Sequence, residues 1–158
     1  MLRKVTLSVL GILLATLAVW GQKKLSPQEY AAEFKRGYDT LVAGKLDEGI
    51  AIYKVLLEIN PTDVRALSLT SGALKDQGQT ERALEWSERA LALDPDDMSA
   101  LINGACLHAS LGHKDRALDL LEKALTRRWA KRDWIENDRD YDSLRDEPRF
   151  QRLMAQLE

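Results

Sequence analysis

One spacing constrains this chain more than any other feature. Gly44, Gly78 and Gly112 lie 34 residues apart. Five residues after each stands a small residue, Gly49, Ala83 or Ala117, and further on come Leu56, Ala90 and Ala124. Pro61 and Pro95 close two of the units. A fixed period between about 20 and 50 residues is the signature of an array of identical supersecondary units, so it decides the architecture before any residue is read in detail. A helical solenoid is the architecture it predicts here, and a binding scaffold is the class of function such an array serves.

The middle unit shows what is repeated. Ala66, Leu67, Leu69, Ala73 and Leu74 recur at helical spacing, which predicts an amphipathic helix over Asp63 to Gln77. Gly78 stops it, because glycine takes the left-handed conformation that a helix C-terminus needs. Thr80 is the expected N-cap of a second helix carrying Ala83, Leu84, Trp86, Ala90, Leu91 and Leu93. Pro95 cannot continue that helix. Ala83 and Ala90 sit where two helices must approach closely. Neither helix can bury its apolar face alone, and stacking pairs on one another solves the problem.

The period, the ladder of small residues, the turn glycines and the closing prolines resemble the tetratricopeptide repeat (TPR) family. Three copies cover 30–131. The first holds Gly37, Gly44, Gly49, Tyr53, Leu56 and Pro61; the third starts at Met98 and ends with Trp129 where the proline should stand. The aromatic residue expected early in the first helix of each copy is replaced by Glu33, Leu67 and Leu101. The resemblance implies an all-α solenoid of three helical hairpins, no catalytic centre and no cofactor. With a terminal helix from Pro148, the total expected is about seven helices.

The flanks read differently. Residues 1–21 begin with Arg3 and Lys4, and Val5 to Trp20 is apolar apart from Thr6, Ser8, Gly11 and Thr16. As a helix this run spans about 24 Å, short of the roughly 30 Å hydrocarbon core. A secretory signal peptide fits it, with an uncut membrane anchor as the alternative. Export to the periplasm or secretion follows from the first reading, and attachment to the inner membrane from the second. Residues 22–29 form a linker and helix start, where Ser26, Pro27 and Glu29 make a strong N-terminal signal. Residues 132–158 are expected to cap the array. With Trp134-Ile135, Ser143-Leu144-Arg145-Asp146 and Pro148-Arg149-Phe150, this tail resembles the end segment that follows TPR arrays in many bacterial proteins.

Charge and motif content narrow the function. The chain has 23 basic and 25 acidic residues, and removing the first 21 positions leaves 21 against 25. That balance argues against a general nucleic-acid binder. The basic-aromatic run Arg127 to Arg132 is flanked by as many acids and reads as part of a mixed solvated cap. Asp138, Asp140 and Asp142 have the spacing that opens an EF-hand loop, but Ser143 and Arg149 stand where glycine and a final glutamate belong. The acids are expected to pair with Arg139, Arg145 or Arg149 instead. His108 and His113 are five apart with no second ligand pair at metal spacing, so no metal site is expected. Cys106, the single cysteine, is expected to be a buried structural thiol. No phosphate loop or nucleophile elbow is present.

In the TPR family the first helix of each repeat lines a concave groove. By position, the resemblance implies a groove of Phe34, Tyr38, Leu41 and Val42 from copy one. Copy two contributes Arg65, Ser68, Gly72, Lys75 and Asp76. Copy three contributes Ser99, Ile102, Asn103, Cys106 and Ala109. The family's clamp for chaperone tails uses Lys and Asn in copy one, where this chain has Phe34 and Tyr38. The expected partner is another protein or peptide, extended or helical, with no nucleic acid, and with a membrane only if 1–21 is retained.

Overall fold

The computed structural model describes residues 25–126 and 132–157. Among these residues there are eight α-helices and one 3-10 helix, and no strand. Three hairpins come first: α1 (Pro27–Val42) with α2 (Leu46–Ile59), α3 (Val64–Asp76) with α4 (Thr80–Leu93), and α5 (Met98–Ser110) with α6 (Lys114–Leu125). The short α7 (Arg132–Asn137), the 3-10 helix Arg139–Leu144 and α8 (Pro148–Ala155) follow. The molecule is the helical solenoid that the period predicts.

Local chemistry sets these boundaries. Ser26 and Glu29 cap α1 reciprocally: the Ser26 hydroxyl accepts the Glu29 amide at 3.2 Å, and the Glu29 carboxylate accepts the Ser26 amide at 2.8 Å. The three turn glycines have φ of +77°, +72° and +75°. Around each of them the first helix closes in a Schellman motif, with two amides bonding backwards. In the middle hairpin the Gly78 amide reaches the Lys75 carbonyl at 2.8 Å and the Gln79 amide reaches Leu74 at 2.9 Å.

That motif corrects two sequence expectations. Thr80 is not the N-cap of α4 but its first residue, with Gln79 in the cap position and no side-chain bond. Gln79 ends one helix and starts the next, so there is no room for a separate capping residue. Likewise α3 begins at Val64, because Asp63 is its cap and accepts the Arg65 and Ala66 amides. The count also exceeds the expected seven. The acidic stretch after 132 adds α7 and the 3-10 helix, held down by the buried Ile135, Tyr141 and Leu144.

The core runs the length of the array. Tyr53, Leu67, Leu101, Leu121, Tyr141 and Phe150 belong to one continuous apolar cluster. Ala83, Ala90, Ala117 and Ala124 have no exposure, and this lets the helices of the second and third hairpins close on one another. Hydroxyls bridge the tightest crossings. Ser71 donates to the Ala83 carbonyl at 2.8 Å and Ser87 to Ala100 at 3.0 Å.

Candidate functional site

Helices α1, α3 and α5 stand side by side and leave a groove of about 420 Å³ between them. Its apolar wall is Tyr38, Leu41 and Val42 from the end of α1, joined by Leu46 from the start of α2. Ser68, Leu69, Gly72 and Ala73 of α3 form the middle, with Asp76 at one end. The far wall is Ser99, Ile102 and Asn103 of α5.

The sequence-expected residues therefore divide. Tyr38, Leu41, Ser68, Ile102 and Asn103 meet in this groove, with Val42, Gly72, Asp76 and Ser99. Tyr38 is 51% exposed and Val42 71%, an unusual amount of solvent contact for apolar side chains on a concave wall. Ser68 is buried and donates its hydroxyl to Asp97 at 2.7 Å. Asn103 donates its side-chain amide to the Ser68 carbonyl at 3.0 Å, which fixes its orientation. Gly72 lies beneath that amide, where a Cβ would sit 3.4 Å from the Asn103 Nδ2.

Phe34, Arg65, Lys75 and Cys106 lie apart from the groove. Phe34 packs edge-on against Tyr53 with ring centroids 5.2 Å apart. The Arg65 guanidinium covers the Phe34 ring at 4.5 Å and reaches Asp63 at 3.6 Å. Lys75 bonds Asp140 of the 3-10 helix at 2.7 Å. Burial alone lowers the pKa of Lys75, but the bond and charge of Asp140 outweigh it and hold the ammonium above its usual value. Cys106 is buried under the same segment, and burial pushes its thiol up to about 12. Its sulfur and carboxylate oxygens of Asp138 and Asp140 lie within 4.8 Å of one another.

The acidic tail also pairs with basic residues. Arg145 holds Asp142 at 2.8 Å, as expected for that residue, whereas Arg149 reaches back to α6, bonding Asp119 at 2.7 Å and Glu122. The basic run from Arg127 and the aromatic Trp129 fall outside the described residues, as does the 1–21 segment. Among the described residues no helix is long and apolar enough to cross a membrane.

Sequence reasoning missed Leu46, Leu69 and Ala73 as groove residues. Leu46 opens a second helix, and the family pattern assigns the groove to first helices. Leu69 and Ala73 follow the helical apolar period and so were read as core.

Comparison with known proteins fits this geometry. The family model described as tetratricopeptide repeat matches residues 65–97 and 98–128. Over 86 residues the chain is 35% identical to cellulose synthase operon protein C of Pseudomonas fluorescens, covering 52% of this chain but 6% of that protein. Among solved structures, the first TPR of Spaghetti (RPAP3), bound to an HSP90 peptide, superposes with a TM-score of 0.62. The match is 17% identical and covers 76% of this chain and 90% of that one. PcrH in complex with the chaperone binding region of PopB gives a TM-score of 0.61 at 20% identity, covering 78% and 94%.

Proposed function

Since this chain is a tetratricopeptide repeat protein, we propose that it is a non-enzymatic adaptor that holds a peptide or protein partner in the groove between α1, α3 and α5. The observation that carries the reading is the solvent contact of Tyr38 and Val42 on one wall, opposite the fixed amide of Asn103. Apolar surface left open in a concavity gains free energy when a partner covers it. The Asn103 amide keeps acceptor capacity for a backbone N–H of that partner. The two structural neighbours described above hold peptide segments of other proteins, which supports the same use of this groove.

The ligand that suits these walls is an extended or helical segment with apolar side chains for Tyr38, Leu41, Val42 and Ile102. Phe34 and Arg65 flank this site without lining it, so their part is to brace the first hairpin. Residues 132–157 act as the end cap of the array, and the 1–21 segment directs export to the periplasm or beyond. Intact-mass measurement on protein exported by a bacterial host tests the last point. Loss of about 21 residues supports a released adaptor, and an intact chain supports a membrane-tethered assembly factor.

The groove itself is tested by affinity capture from the native extract with the wild type and with Tyr38→Ala/Asn103→Ala. A partner captured by the wild type and lost from the folded variant supports the proposal. Equal capture by both moves the binding surface elsewhere.

A further inference from the structure

The turn between α5 and α6 places the two histidines of the chain side by side. In each hairpin the residue after the glycine returns its amide to a carbonyl five residues back. The pairs are Lys45 to Thr40, Gln79 to Leu74 and His113 to His108, at 3.1, 2.9 and 2.8 Å. Side chains at these two positions of a Schellman motif lie close to each other. In the third hairpin both are imidazoles. Their Nδ1 atoms are 3.2 Å apart, and the second ring nitrogen of His108 is 2.8 Å from a carboxylate oxygen of Glu88, on α4.

This arrangement has the parts of a metal site. With the Nε2 hydrogen of His108 directed at Glu88, its Nδ1 lone pair faces His113. A carboxylate on the outer nitrogen is what orients a metal-ligating imidazole and raises its basicity. At bond lengths of about 2.1 Å, two nitrogens separated by 3.2 Å subtend about 100° at a shared ion, between octahedral and tetrahedral angles. His108 stands in the last turn of α5, where the helix end favours positive charge. His113 is exposed, so an ion has a path from solvent and water to complete its shell.

We propose that His108 and His113, oriented by Glu88, bind a divalent transition-metal ion of the imidazole-preferring kind, with zinc as the first candidate. The ion takes the place of the proton between the two Nδ1 atoms, and His113 keeps its one N–H by carrying it on Nε2, so both rings stay neutral. Through Glu88 it fastens the turn of the third hairpin to the second hairpin.

Calorimetric titration of the full chain with zinc chloride at neutral pH tests this, alongside thermal melts with and without zinc. Wild type is expected to bind one ion, with the melting midpoint raised by about 5 °C at saturation. His113→Asn, an exposed substitution, should melt like the wild type without zinc and lose at least tenfold in affinity. Glu88→Gln should lose about tenfold while keeping both nitrogens on the ion. Copper(II) electron paramagnetic resonance reads those nitrogens directly: two in the wild type and in Glu88→Gln, one in His113→Asn. Zinc held equally by the wild type and His113→Asn overturns the proposal and moves the ion, with Cys106, Asp138 and Asp140 the next place to look. An absence of binding at millimolar zinc overturns it too, and leaves the pair as an imidazole–imidazole hydrogen bond.

Discussion

Gly78 isolates the backbone contribution of a single residue. Its φ is +72°, and a Cβ built there meets nothing within 4 Å. Any cost of replacing it is therefore conformational rather than steric crowding by neighbours. Gly78→Val is expected to destabilise the fold by about 1–2 kcal/mol, read as a lower melting temperature; an unchanged melt would contradict the left-handed turn. Tyr53 makes a second residue-scale prediction, this time for pH. Its hydroxyl donates to the Phe34 carbonyl at 3.1 Å, and burial raises its pKa to about 12. An unfolded tyrosine titrates near about 10. Between those values the folded chain keeps a proton that the unfolded chain releases. The contribution is thus complete below about pH 10 and is lost as pH rises through about 12. Tyr30 shifts in the same direction, first through burial and then through its bond to Asp63. Urea midpoints should fall between about pH 10 and 12, and Tyr53→Phe should flatten that slope; the same slope in the variant would assign the effect to other groups.

At the scale of the element, two aspartates join neighbouring repeats. Asp63 and Asp97 cap α3 and α5, and each also accepts a hydroxyl from the preceding repeat: Tyr30 at 2.8 Å and Ser68 at 2.7 Å. A cap that also serves the neighbouring unit should cost more to lose than an ordinary one. Asp63→Ala is expected to destabilise by about 2 kcal/mol, since it removes the cap and leaves the Tyr30 hydroxyl without its acceptor. Tyr30→Phe in the same background should add little, because the bond is already gone; full additivity would show that the two do not act together. These aspartates also mark how far the sequence can be read. They sit 34 residues apart, in step with the glycines, yet a helix expected to start at Asp63, one residue early, hid that residue's capping role. The hairpins and the apolar groove wall were legible because each depends on residues close in sequence or one period apart. Lys75 and Cys106 were misplaced for the opposite reason. Asp140, 65 residues beyond Lys75, takes that ammonium as its ion partner, and no periodicity encodes such a contact. The histidine pair was hidden in a similar way: a spacing of five fits no metal-binding helix, and only the closing turn folds it into a pair.

For the molecule as a whole, the question is whether holding the fold and binding a partner use the same residues. The larger of two apolar clusters runs from the first hairpin to α8, so a cavity in it weakens adjoining hairpins. Leu67 is a fully buried member of that cluster. Leu67→Ala is expected to cost about 2–5 kcal/mol and to reduce partner capture only as the folded fraction falls. Tyr38 stands on the groove wall with 51% of its surface in solvent. Tyr38→Ala should leave stability within about 0.5 kcal/mol of wild type, because little of its contact with the fold is lost. As an aromatic on an open concave wall it should still be among the larger contributors to binding. The two variants therefore predict opposite pairs of readings: Leu67→Ala, a lower melting temperature with binding preserved per folded molecule; Tyr38→Ala, an unchanged melting temperature with binding lost. Light scattering on the same samples adds a check, since Tyr38→Ala abolishing self-association rather than capture would make a second copy of this chain the occupant of the groove. If Tyr38→Ala melts normally and still captures the partner in full, the open apolar wall between α1 and α5 is not the docking surface.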